Sequence, residues 1–292
     1  MNSLYFAQYL VNEDVLESQE AKDLLKACEG TVPGLAVVAL AEGAVPASKL
    51  AELAPFEKEA FPKLAISEGV LFASQLEKLQ EIHATDGLRL AQALLDSEKM
   101  DFVELGRHMA ACGAQEGSPI KEAVRRLASD NEEIAVELES YAEFTELFMR
   151  SFMRFMDTPA IVNYCEPDYE GMFASHIVSQ RLSGQLSFVS GIYASDKMFV
   201  EMAKRYSREE IEDADEMAED SISEFLNVVN GLFVVDLGKR DLDLDLEAPR
   251  IGQNKHPQGS KQLQLCIDTG FGSFTLVMAA DEFTLTEKPP TD

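Results

Sequence analysis

Two side chains one helical turn apart, Glu224 and Asn227, carry the clearest chemistry in this sequence. Neither is a nucleophile. A carboxamide both donates and accepts hydrogen bonds, so it can hold a water in a chosen direction, and a neighbouring carboxylate can clamp a cation on a partner. Such a pair suits the orienting of water rather than covalent catalysis. Both lie in the stretch 213–231, DADEMAEDSISEFLNVVNG. At about 100° per residue, Glu224, Asn227 and Gly231 all lie within roughly 40° of the direction of Asp220. Ile211, Ala218, Ile222, Phe225, Leu226, Val229 and Phe233 fall between about 140° and 240° from it, on the opposite side of the cylinder. Asn227 is a helix-disfavouring residue in mid-helix, and Gly231 removes bulk at the end of the line. The same pattern also describes the solvated face of an ordinary amphipathic helix. Asn230, about 80° off the line, reads as a helix-terminal residue before Gly231.

The elements that must position this helix lie on both sides of it. Upstream, Ser118-Pro119 predicts an N-cap with proline at the first helical position, and a helical pattern continues to about Met156 with a break at Ser129-Asp130. Within it Phe144, Leu147, Phe148, Ser151, Phe152 and Phe155 recur at helical spacing, which predicts a core-facing stripe. After Asp157-Thr158-Pro159 the period shortens to that of a strand. Ile177, Ser179 and Arg181 alternate against His176, Val178 and Gln180, and Gly184–Tyr193 predicts a second strand after a Ser183-Gly184 turn. Asp196 is placed to cap a helix over 197–206, and Ser207 to cap the next, with Glu209-Glu210 in its first turn. Further strands are predicted at Leu242/Leu244/Leu246, at Leu263/Leu265/Ile267 and at 274–278. Helix, strands, helices, strands is the order of an α+β domain with a mostly antiparallel sheet.

Residues 2–112 are helical in pattern and repetitive. The segment Ala39–Leu53 returns as Ala65–Leu79, each with Glu-Gly, two apolar or small residues and leucines three apart, and fainter copies lie at Tyr9–Leu24 and Leu94–Leu105. Gly43 and Gly69 read as helix C-caps, so each unit is a helical hairpin that stacks on its neighbour to bury its apolar stripe. The run Cys112–Pro119 is richest in turn residues. The domain boundary is placed near residue 135, which gives an all-helical repeat domain over 1–135 and an α+β domain over 136–292.

The 292 residues are 46% hydrophobic, enough for real cores, and carry a formal net charge of -27. Nucleic acid and anionic membrane both require a basic footprint, so the charge argues against either as a partner. No secretory pattern opens the sequence and no apolar run reaches about 18 residues, so a cytoplasmic protein without membrane insertion is expected. Cys28, Cys112, Cys165 and Cys266 are scattered singly, as reduced thiols are. His83, His108, His176 and His256 lack Cys or acid neighbours at ligand spacing. Asp241, Asp243 and Asp245 alternate along a strand and line one face without converging, with no calcium loop beside them. No metal site and no resident cofactor is expected.

The run Asp220-x3-Glu224-x2-Asn227-x3-Gly231 resembles the active-site motif of the CheC/CheX/FliY chemotaxis phosphatases. Ala248-Pro249-Arg250-Ile251-Gly252 is similar to the P-x-I-G ending of the CheX central strand, which favours CheX, and weaker matches extend from about Phe144 to Ala279. The resemblance implies a CheX-like α+β domain that dephosphorylates the phospho-aspartate of a CheY-like response regulator. It implies Glu224 and Asn227 as catalytic residues, Asp220 and Gly231 as substrate-docking residues, Mg2+ supplied by the phosphorylated regulator, and homodimerisation through a sheet edge. The alternative is a non-catalytic receiver-binding or scaffold protein of a signalling or motility complex. The N-terminal hairpins loosely resemble the repeats of secretion and pilus ATPase N-terminal domains, some of which bind cyclic di-GMP through an Arg-Leu-Gly entrance. Here the entrances read Gly34-Leu-Ala, Lys63-Leu-Ala and Arg89-Leu-Ala, so cyclic di-GMP is not expected to bind, and protein docking is the expected role.

Overall fold

The computed structural model describes residues 2–82, 85–129, 131–163, 175–259, 261–280 and 283–287. It divides into two compact units, Met1–Pro119 and Ile120–Asp292. His83 and Cys165 lie outside the described residues.

The first unit holds α1 (Ser3–Asn12), α2 (Ser18–Ala27), α3 (Leu35–Ala41), α4 (Ala47–Leu53), α5 (Phe61–Ser67), α6 (Ala73–Gln80), α7 (Asp86–Asp96) and α8 (Phe102–Ala114). They form four hairpins whose first helices all stop in the same way. A residue in the left-handed conformation follows each, Asp14, Gly43, Gly69 and Glu98, with φ of 54°, 65°, 66° and 56°. Its N–H donates to the carbonyl three residues back, and the next N–H donates to the carbonyl five back, on Leu10, Ala39, Ala65 and Leu94. This pair of bonds closes the orphan carbonyls of a helix end and reverses the chain. A buried apolar residue then enters the second helix of each hairpin: Leu16, Val45, Leu71 and Met100. Glycine takes the strained position without penalty in two copies, which is why those two stand out in the sequence.

The second unit begins at Ile120, one residue into α9 (Pro119–Leu127), whose first position is Pro119. The division falls between Pro119 and Ile120, where the sequence reading places it near residue 135. Ile120, Ala123 and Val124 are buried. Lys121 lies 3.5, 3.6 and 3.9 Å from Glu139, Glu143 and Glu146 on α10 (Leu138–Met156), so α9 packs with the second unit. After α10 come β1 (Ala160–Asn163), β2 (His176–Gly184), β3 (Phe188–Ala194), α11 (Asp196–Ser207), α12 (Glu216–Gly238), β4 (Leu244–Leu246), β5 (Arg250–Gln253), β6 (Lys255–Gly259), β7 (Gln262–Thr269), β8 (Gly272–Ala279) and β9 (Phe283–Glu287).

The main sheet runs β1-β7-β8-β3-β2-β4, with β5 also paired to β2, and every pairing is antiparallel. The unit is α+β, as the element order predicts. Four strands go beyond that prediction: β1, β5, β6 and β9 are only four or five residues long, too short to show a period. The Pro-x-Ile-Gly segment lies in β5 on the edge of the sheet beside β4 rather than in a central strand, with Gly252 opposite Ile177. A Cβ on Gly252 would stand 2.8 Å from a Leu285 methyl and 3.0 Å from Ile177, so a side chain there requires its neighbours to shift.

The helices α10 and α12 cover one face of the sheet, and the β6–β9 ribbon packs Phe283 and Leu285 against Ile177, Tyr193 and Val277 on the other. The aromatic stripe of α10 is the inner layer. Phe144 meets Phe188 of β3 at 4.9 Å and Phe233 of α12 at 5.2 Å, while Phe148 meets Phe225 at 5.6 Å and Phe152 meets Phe274 of β8 at 5.1 Å.

Candidate functional site

Helix α12 carries the site. Asp215 Oδ1 accepts from the N–H groups of Met217 and Ala218 at 3.1 and 3.2 Å and caps the helix at Glu216. The expected cap, Ser207, instead closes the end of α11, where Arg208 adopts φ 61°. The cap of α11 is Ser195, not Asp196, because its hydroxyl accepts from Met198 N–H. These shifts share one cause: several polar residues in a row can cap, and tertiary packing chooses among them. The helix continues through Gly231 to Gly238, so Asn230 is an interior residue, not a terminal one. A Cβ on Gly231 would meet only Leu246 Cδ1, at 3.9 Å.

The core face of α12 is buried as its spacing requires: Ala218, Ile222, Phe225, Leu226, Val229 and Phe233 are each at most 1% exposed. By composition α12 is the one described helix apolar and long enough to cross a membrane, and this packing is where its apolar side chains go. Burial of each large side chain contributes roughly 1.5–3 kcal/mol, so the helix cannot roll about its axis without losing several of them. Rotation being fixed, the opposite face must point outward. Asp220, Glu224 and Asn227 are exposed and Gly231 is half-buried. Met217, Leu232, Val235 and Leu246 are exposed apolar neighbours of that line.

Glu224 and Asp220 line an open depression of about 640 Å³, with Ser207, Glu209, Asp215, Glu216, Met217 and Ser221. Five of its eight lining side chains are carboxylates, and Glu224 has no ion-pair partner among the described residues. Tyr206 stacks edge-on against Phe225 at 5.6 Å; burial, and then the charge of Glu224, push its phenol above the ordinary range.

Asn227 is anchored. Its Oδ1 accepts from Gln180 Nε2 at 2.7 Å, and the same Nε2 donates to the Glu247 carbonyl at 2.8 Å. Gln180 Oε1 accepts from Asn230 Nδ2 at 2.7 Å, and Asn230 Oδ1 accepts from the Ser190 hydroxyl at 2.8 Å. Gln180, Asn230 and Ser190 are 1%, 0% and 0% exposed. The sequence pattern assigns none of these three to the site. The available signal is that Asn230 stands beside the apolar sector of the helix, where an amide must find a buried partner. A further difference concerns His176, isolated in sequence but buried in the fold, with Nε2 3.2 Å from Asp196 Oδ1 and Nδ1 3.9 Å from Glu219. Asp241, Asp243 and Asp245 are exposed. Among the described residues, no three His, Cys, Asp or Glu side chains cluster as metal ligands would.

The family model described as chemotaxis phosphatase CheX matches residues 177–268, the stretch that contains α12, β5 and all of β2 but His176. Residues 177–268 are a CheX-family domain. The chain is similar to a chemotaxis protein CheX of Desulfovibrio desulfuricans, at 11% identity and TM-score 0.40 over 47% of this chain and 96% of that one. It is similar to CheX of Vibrio vulnificus at 17% identity and TM-score 0.40, over 48% and 97% of the two chains. It is also similar to a structure described as a CheX-CheY-BeF3-Mg complex of Borrelia burgdorferi, at 17% identity and TM-score 0.38 over 49% and 96%. No curated protein matches the chain. The CheX match lies wholly within the second unit, and the likeness of the N-terminal hairpins to ATPase repeats gains no support from it.

Proposed function

We propose that the CheX domain dephosphorylates the phospho-aspartate of a CheY-like response regulator in chemotaxis signalling. The observation that carries this reading is that Glu224 and Asn227 stand exposed on one face of a helix whose other face is locked in the core, inside the CheX match. Asn227 holds a water for attack on phosphorus in line with the leaving carboxylate. The new bond joins the water oxygen to phosphorus, the bond to the aspartate oxygen breaks, the carboxylate leaves with its electron pair, and the water proton stays with the released phosphate or passes to solvent. Glu224, free of an internal cation, pairs with the phosphate-binding lysine of the regulator. Asp220 and the notch at Gly231 meet its surface, and the exposed Met217, Leu232 and Val235 supply apolar contact beside them. The chain needs no cofactor of its own, since Mg2+ travels with the phosphorylated regulator. Catalysis is then positioning and the exclusion of disordered water. The protein is cytoplasmic and dimerises through a sheet edge of the second unit, and mass photometry tests the dimer separately.

The deciding experiment follows loss of phosphate from a phosphorylated CheY-like receiver with the full chain, wild type and Asn227→Ala. Acceleration by wild type, abolished in Asn227→Ala with receiver binding retained, supports the phosphatase. No acceleration by wild type leaves the receiver-binding or scaffold reading and rejects this one.

A further inference from the structure

Four polar side chains link the interior of the sheet to the outer face of α12: Ser190 on β3, Gln180 on β2, and Asn230 and Asn227 on α12. Three of them are all but inaccessible to water. Burying three polar groups is costly unless each is hydrogen-bonded, and a helix interior offers asparagine no reward of its own.

The relay has a direction, and one backbone carbonyl sets it. The Glu247 C=O can only accept, so Gln180 must turn its NH2 group there. The same NH2 carries a second proton, which goes to Asn227, so Asn227 must turn its Oδ1 inward. The other end of Gln180 is then an acceptor, which fixes Asn230 with its NH2 toward Gln180 and its oxygen toward the Ser190 hydroxyl. None of these three amides can flip alone without leaving two like groups facing each other. Asn227 thus presents its NH2 and one remaining lone pair of Oδ1 outward, in a single orientation.

We propose that Gln180 and Asn230 are positioning residues that hold the Asn227 amide in one rotamer and one polarity for the reaction at this site, an inference that rests on the phosphatase reading above. An exposed asparagine without such an anchor samples several rotamers, and part of the barrier reduction from orientation is lost whenever the amide faces away. The relay prepares Asn227 before the partner arrives, so its loss lowers turnover and leaves docking intact.

The test uses the full chain and a phosphorylated CheY-like receiver. Gln180→Met keeps the length of the side chain and removes both donations. We expect kcat to fall about 10- to 100-fold, in the range a misplaced catalytic group costs, with KM for the receiver within about twofold of wild type. Gln180→Glu puts an acceptor where the donor stood; its activity relative to wild type at the same pH should recover as pH falls from about 8 toward about 5 and the buried carboxyl gains a proton it can donate. Circular dichroism and receiver binding of Gln180→Glu over the same pH range separate this from a structural role, which would move the fold or the binding together with the activity. Independently of any receiver, side-chain amide relaxation by NMR should show Asn227 ordered in wild type and mobile in Gln180→Met. A kcat for Gln180→Met within about twofold of wild type, or an Asn227 amide equally ordered in the variant, overturns the relay. If Gln180→Met fails to fold, the pH profile of Gln180→Glu decides. If wild type accelerates nothing, the phosphatase reading falls, and the NMR measurement alone decides whether Gln180 orders Asn227.

Discussion

Two asparagines three residues apart on α12 should differ sharply in their contribution to stability. Asn230 is fully buried and makes one bond to Gln180 at 2.7 Å and one to Ser190 at 2.8 Å. Asn230→Ala strands the Gln180 oxygen and the Ser190 hydroxyl in a buried site. At about 1–3 kcal/mol for each unsatisfied buried group, the loss sums to roughly 2–6 kcal/mol, and partial collapse of the site brings it to about 2–4. Asn227 is exposed, and Gln180 Nε2 keeps its bond to Glu247 when Asn227 is removed. The cost of Asn227→Ala should therefore stay below about 1 kcal/mol, offset in part by the better helix propensity of alanine. The assay is urea unfolding of the full chain read by hydrogen-exchange mass spectrometry on peptides from α10 and α12, so that the second unit is followed on its own. Equal losses for the two variants, or a loss below about 1 kcal/mol for Asn230→Ala, would refute the argument that the relay is buried and fully satisfied.

Two glycines give a second contrast. Gly231→Ala has room, with only Leu246 at 3.9 Å, and should stabilise α12 by about 0.5–1 kcal/mol while weakening receiver binding in a pull-down or titration. Gly252→Ala meets Leu285 at 2.8 Å and Ile177 at 3.0 Å, and overpacking of this kind should cost about 1–3 kcal/mol in the same unfolding assay. Tyr206 offers a pH test. Its phenol is raised by burial first and by Glu224 second, so the stability it contributes is complete below the ordinary phenol pKa of about 10 and is lost as pH rises through the higher folded value. Glu224→Gln should lower that titration midpoint in ultraviolet absorbance without returning it to the ordinary value, because burial remains. An unchanged midpoint would place Glu224 away from Tyr206.

Much of this architecture is legible in residue types. Gly43 and Gly69 mark two of the four hairpin turns, but Asp14 and Glu98 take the same left-handed turn at φ 54° and 56° without a glycine to announce it. The α10 stripe is visible because four phenylalanines repeat on one side of a helix. Strands β1, β5, β6 and β9 escape notice because they are short, and β6 contains Pro257. The expected boundary near residue 135 and the division after Pro119 differ by α9, whose ion pairs to α10, such as Arg125 to Glu139 at 2.7 Å, are not written in local spacing.

The sequence alone determined the two faces of α12, since helical periodicity sorts side chains by angle and the hydrophobic effect turns the apolar sector inward. It thereby determined that Asp220, Glu224 and Asn227 share one side. Only the tertiary structure decided what holds Asn227. Gln180 and Ser190 come from strands β2 and β3, separated from α12 in the chain and brought beneath it by antiparallel pairing. Local spacing carries no record of that meeting, because a hydrogen bond between distant residues depends on how the sheet packs against the helix, and packing is a property of the whole unit.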